Sequence, residues 1–144
     1  MTEELNKPNF QGKWDHIRSE NFEDFMRENG ANFVVRKMAS HSNPSVDITQ
    51  DGEKFHIKLH SLFVTRESNF TVGDEYEETQ HNGAVMKIKP SWEDEKLVLT
   101  YEPKVEGSAK PQKHIRELDS EGNQMTLTME VGGVVAKRFF KRTS

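Results

Sequence analysis

Hydrophobic and polar positions change period once along this chain. Between Ser19 and Gly30 the apolar residues fall three and four apart: Phe22, Phe25 and Met26 share a helical face, Ser19 or Asn21 stands where a cap belongs, and Gly30 can end the last turn. A second short helical turn is expected from Phe33 to Met38. From Val46 onward the period is two, with Phe55, Ile57, Leu59, Ser61 and Phe63 on one face and His56, Lys58 and His60 on the other. The alternation returns at Leu97, Leu99, Tyr101 and at Met125, Leu127, Met129. Asp51-Gly52, Asn82-Gly83 and Gly132-Gly133 are hairpin signals between such runs, and Lys104 to Gln112 reads as a longer loop. Successive strands joined by short turns form a meander, which must close on itself or pair into two sheets to protect its edges. The pattern predicts an all-β fold: a small barrel with one helical hairpin inserted after the first strand.

The length, 144 residues, suits a single domain spanning residues 1–144, large enough to bury a core unaided. Composition makes that core a wet one, since the chain is 33% hydrophobic and 31% charged, while its regularly recurring aromatics exclude a disordered chain. There is no cysteine, hence no disulfide framework, thiolate metal site or cysteine nucleophile. The formal net charge is only −4, with the basic residues scattered and acidic stretches such as Asp74 to Glu78, which argues against a nucleic-acid partner. Met1 to Leu5 lacks the features of a secretory signal, and no apolar run is long enough to span a bilayer. A cytoplasmic protein is expected.

The candidate chemistry centres on Arg138-Phe139-Phe140, after the last glycine turn. A strand sends residues 138 and 140 to one face, so an arginine shares the face of an apolar ring. If that face is the interior, the cation needs an anion, and a lipid carboxylate is one such partner. Strand parity alone leaves the alternative open that the arginines point outward and pair with glutamates.

Several blocks in order carry a resemblance: Phe10-Gln11-Gly12-Lys13-Trp14, Ser19-Glu20-Asn21-Phe22-Glu23-Asp24-Phe25-Met26, Arg36-Lys37, Asn69 through Thr79, Lys96-Leu97, Ile115-Arg116-Glu117-Leu118 and Arg138-Phe139-Phe140. Together they resemble the intracellular fatty-acid-binding proteins along the length of the chain. The resemblance implies a ten-strand antiparallel up-and-down clam-like β-barrel, with a two-helix lid between the first two strands and one or two lipids in a water-containing cavity. It implies transport rather than catalysis, a monomer, and no cofactor. In that family two arginines and a tyrosine bind the ligand carboxylate. The arginines match Arg116 and Arg138, and the tyrosine position is Phe140, which keeps the ring but lacks the hydroxyl donor.

The resemblance further implies a long-chain fatty acid or similar small lipid as ligand, with Phe22, Phe25, Met26, Phe33 and Phe63 lining a portal and Ser61, Tyr101, Leu99 and Met129 lining the cavity. By spacing alone the helical apolar residues would be ordinary core. His16, where the family expects an aliphatic residue, Glu78 and His114 are expected in the cavity with Arg116 and Arg138. His16, His114 and Glu78 could in principle ligate a divalent cation, but no local metal-ligand spacing joins them and the arginines oppose a second cation, so neutral hydrogen-bonded histidines are the preferred reading. His41, His56, His60 and His81 are expected at the surface. Arg27, Arg36 and Lys37 on the lid are solvated charges that, by the resemblance, can touch an anionic membrane during ligand transfer.

Two other classes compete with the carrier. An enzyme could be drawn from Ser61, His16 and Glu78 as nucleophile, base and orienter, yet there is no Gly-x-Ser-x-Gly elbow, phosphate loop or metalloprotease helix. Val134 to Phe140 also looks like the ending of the tardigrade abundant heat-soluble proteins, which share the barrel. That likeness gives the alternative of a stress-protective, desiccation-tolerance barrel with a polar, ion-binding cavity and weak lipid affinity.

Overall fold

The computed structural model describes residues 7–62, 64–80 and 82–144. The chain runs β1 (Gly12–Glu20), α1 (Phe22–Glu28), α2 (Phe33–Ser40), β2 (Ser45–Asp51), β3 (Lys54–His60), β4 (Thr65–Thr71), β5 (Tyr76–Thr79), β6 (Val85–Glu93), β7 (Lys96–Pro103), β8 (Gln112–Leu118), β9 (Gln124–Val131) and β10 (Val134–Arg142). The strands form one antiparallel sheet in the order β4-β3-β2-β1-β10-β9-β8-β7-β6-β5. Chain neighbours therefore pair throughout, β1 meets β10, and the order begins and ends at β4 and β5, which share no ladder. Ser68 on β4 donates from its Oγ to Glu78 Oε2 on β5 at 2.6 Å, so side chains bridge the opening that backbone leaves. This is the ten-strand clam-like barrel with a two-helix insertion that the sequence predicts.

One end is closed by aromatic packing. Phe10 and Trp14 are fully buried, the Trp14 ring nitrogen donates to the Phe10 carbonyl at 2.9 Å, and Phe55 stacks on Phe70, which stacks on Tyr76. A smaller apolar cluster, Phe25, Met26, Met129, Val131 and Ala136, seats α1 on β9 and β10 near the other end of those strands.

Local details depart from the sequence reading. Asn21 precedes α1 as expected, but in a left-handed conformation with no capping bond; its amide instead donates to the Val135 carbonyl at 2.9 Å, fastening α1 to β10. Ser61 lies just beyond β3 rather than on its inward face. Phe33 and Met38 do not pack inward: Phe33 is 62% exposed and Met38 is exposed on α2. Helical spacing cannot distinguish a core stripe from an exposed one, and α2 packs against α1. Phe63 and His81 lie outside the described residues.

Gly12 opens β1 at φ +138°, and a Cβ there would run into the Ser144 carbonyl oxygen. Gly12→Ala should therefore lower the unfolding free energy by about 1–3 kcal/mol, from backbone strain and the displaced C-terminal contact. Urea unfolding checks this; an unchanged midpoint would contradict it.

Candidate functional site

Register decides which way the arginines face. Directly paired residues of antiparallel strands share a face of the sheet, and the pairs Leu97↔Arg116, Arg116↔Leu127, Leu127↔Arg138 and Arg138↔Ser19 make one row across five strands. The neighbouring rows are Leu99, His114, Met129, Ala136 on one side and Leu118, Met125, Phe140, His16 on the other. Leu97, Leu99, Met125, Met129, Ala136 and Phe140 are all buried, so this face is the interior. Both arginines lie on it, and the outward alternative is excluded. Leu127 sits between them in the row, so the expected single polar constellation separates into two groups.

The first group surrounds Arg138, which is only 8% exposed. Its Nε donates to Ser19 Oγ at 3.1 Å and its guanidinium lies 4.1 Å above the Phe22 ring of α1. Burial pushes its pKa down to about 10, which leaves it charged at neutral pH. His16 and Ser19 reach this site together because the β1–β10 register shifts between His16 and Arg18. Residues three apart on a regular strand face opposite ways; the bulge returns both to the interior and turns Ile17 outward. His16 Nε2 stands 2.7 Å from Ser19 Oγ and Nδ1 stands 3.1 Å from Asn43 Oδ1. Since Asn43 Oδ1 can only accept, Nδ1 carries the proton and neutral Nε2 accepts from the Ser19 hydroxyl. Arg138, Ser19, His16 and Asn43 thus form a chain in which each donor meets an acceptor. Burial, opposed by the Asn43 bond and reinforced by Arg138, holds His16 below the usual histidine range. Phe140 presents its ring to the His16 edge at 5.6 Å between centroids.

Beneath the helices this group borders a cleft of about 260 Å³, whose walls include His16, Ser19, Phe22, Met26, Ser42, Asn43 and Arg138. Ser42 is buried there with its hydroxyl unpartnered.

The second group surrounds Arg116. Tyr101, His114 and Arg116 keep some accessible surface although they lie deep in the protein, so that surface faces an interior space. The Arg116 Nη1 and the Tyr76 hydroxyl are buried without a hydrogen-bond partner. Burial lowers the Arg116 pKa, against the pull of Tyr101, Tyr76 and Glu78. Burial also pushes Tyr101 up to about 12, raises Tyr76, and, with Arg116 adding to it, drops His114 to about 3. Neutral His114 donates from Nε2 to Gln112 Oε1 at 3.1 Å, and its ring packs between Tyr101 and Phe25. Glu78, held by Ser68, is the acid whose charge acts on Arg116.

Among the described residues neither Arg116 nor Arg138 forms a salt bridge, and no group of three or more His, Asp and Glu side chains gathers at metal-binding distance. His56 and His60 lie outward, against Glu67 and Asp47, and His41 is exposed. Leu99, Met129, Phe25 and Met26 are buried around the interior and Phe22 is half-buried. The sequence reading missed Ser19, Ser42, Asn43, Ser68 and Tyr76 as site residues. Parity concealed Ser19, since nothing at Ile17 announces a bulge.

These features match known proteins. Residues 11–143 match the lipocalin / cytosolic fatty-acid binding protein family. The cellular retinoic acid-binding protein 1 of Takifugu rubripes is 39% identical over 137 residues, covering 94% of this chain and 98% of that protein. Among solved structures, the REP1-NXSQ fatty acid transporter superposes with a TM-score of 0.83 at 31% identity, covering 93% of this chain and 96% of its own. The Echinococcus granulosus fatty-acid-binding protein 1 gives 0.82 at 26% identity, covering 94% and 98%. The family is one of lipid-binding carriers rather than enzymes. With its pattern, barrel and inward arginines in agreement, the chain belongs to the lipocalin / cytosolic fatty-acid binding protein family.

Proposed function

We propose that this protein is an intracellular, monomeric, non-covalent carrier of a long-chain fatty acid, with the ligand carboxylate at Arg138 and Arg116 and the tail along Leu127, Leu99 and Met129 toward the lid. The observation that carries this reading is the pair of interior guanidinium groups with no salt bridge among the described residues. An uncompensated buried cation is costly, and a planar carboxylate matches its fork. Buried methylenes contribute about 0.8 kcal/mol each, so the tail supplies most of the affinity and the arginines set headgroup choice. Retinoic acid, in the names of the relatives, is also a carboxylate on an apolar chain. The lid turns Phe33, Val34, Val35 and Met38 outward beside Lys37, a surface suited to brief contact with an anionic membrane.

Displacement of a fluorescent lipid by oleate, with retinoic acid as competitor, tests the ligand class. Arg138→Ala should weaken oleate binding roughly tenfold to a hundredfold, as loss of a charge-assisted contact worth about 1.5–3 kcal/mol does, and more than Arg116→Ala. Unchanged affinity in both variants would contradict the assignment. Ligand transfer to anionic vesicles should slow as salt rises; a salt-independent rate would count against the membrane contact.

The interior electrostatics also make the empty carrier acid-sensitive. His114 has a folded pKa of about 3 against an ordinary 6.5, so the unfolded chain takes up the proton first. The sign follows: above pH 6.5 the group is neutral in both states, and below it stability falls by up to about 1.4 kcal/mol per pH unit. In His114→Gln the decline in unfolding free energy between pH 6.5 and 5 should be shallower than in the parent; parallel curves would contradict this.

A further inference from the structure

We propose that Ser19, Ser42 and His16 form a headgroup subsite in the cleft beneath the helices, supplying Arg138's carboxylate with the hydroxyl donors that Phe140 cannot provide. This rests on the carrier reading above and names the residues that complete its headgroup site. Two side chains more than nine-tenths buried, Arg138 and Ser42, each 8% exposed, line the cleft, and the Ser42 hydroxyl has no partner there. A buried hydroxyl without a partner is costly, and an anionic oxygen in the cleft would relieve that cost. The cleft, about 260 Å³, compares with roughly 30 Å³ per water, so it holds a carboxylate with a few waters while the tail runs into the barrel.

The hydrogen-bond chain gives this subsite a direction. While His16 is neutral, the Ser19 hydroxyl proton is committed to its Nε2, at 2.7 Å, and Ser19 accepts from Arg138. Protonated His16 must donate from Nε2 instead. Ser19 Oγ then accepts from both His16 and Arg138, and its own proton turns into the cleft toward the carboxylate. The headgroup gains a donor and a second positive charge together. Facing His16 are the Arg138 cation on β10 and, at the cleft wall, the Glu23 carboxylate on α1; Ser42 and Asn43 before β2 and Ser40 on α2 are uncharged. A bound carboxylate adds a negative charge beside His16, so protonation and headgroup binding favour one another.

The test compares oleate with methyl oleate, which has the same tail and no charge, at pH 8 and pH 6 in the full-length protein. Ser42→Ala at either pH, and Ser19→Ala at pH 6, where protonated His16 frees the Ser19 proton, should each weaken oleate about three- to tenfold, the range of one hydrogen bond, and leave methyl oleate within about twofold. Ser19→Thr, which keeps the hydroxyl, should restore the preference. The parent's preference for oleate should rise from pH 8 to pH 6, and His16→Gln should abolish that rise. If Arg138→Gln lowers the preference while the serine and histidine variants leave it and its pH profile unchanged, the subsite is wrong and the carrier reading stands. If oleate binding is indifferent to Arg138→Gln as well, both fail.

Discussion

Two guanidinium groups sit on the inner face of this barrel with no salt bridge to hold them among the described residues. Removing a charge from water is costly unless neighbours replace its hydration, and replacing both arginines with hydrocarbon would make an easier core. The surroundings compensate in part. Arg138 gains a serine hydroxyl and the face of Phe22, while Arg116 gains the field of Glu78, two tyrosines and a neutral histidine. On the carrier reading proposed above, what remains uncompensated is what a ligand carboxylate would supply.

Apolar and polar side chains are interleaved on the inner face, with Leu97 and Leu127 in the row of Arg116 and Arg138, so the same surface must both pack and hold charge. α1 serves both purposes: Phe25 and Met26 seat it on β9 and β10, while Phe22 covers the Arg138 cation. The bulge at Ile17 brings His16 and Ser19 onto one face, and the Asn21 amide ties α1 to β10 just above them. Helix, bulge and arginine form one mechanical unit, because each of them positions a group that touches the same cleft.

The strand pattern was legible because one buried face enforces a period of two: Phe55 and Ile57, Leu97 and Leu99, Met125 and Met129 all occupy the interior as read. The arginines were not legible from pattern, since either parity gives a plausible strand, and only the family resemblance turned them inward. Ser19 escaped notice because a bulge made without glycine leaves no mark in composition. Helical spacing alone reads Phe33 and Met38 as core, because an apolar stripe on a helix does not say whether a neighbour covers it. His16 and His114 were expected in one polar set; Leu127, a single residue in the row between the arginines, keeps their groups apart.

The central claim is that an ionised carboxylate sits against Arg138 inside the barrel. Carbon NMR of oleate labelled at its carboxyl carbon and bound to the protein tests this directly. The account predicts a single bound resonance that stays ionised well below the pH at which free oleate protonates, because a neighbouring cation favours the charged form, and that loses this protection in Arg138→Gln. A bound resonance that titrates like the free acid, in the parent as in the variant, would contradict it.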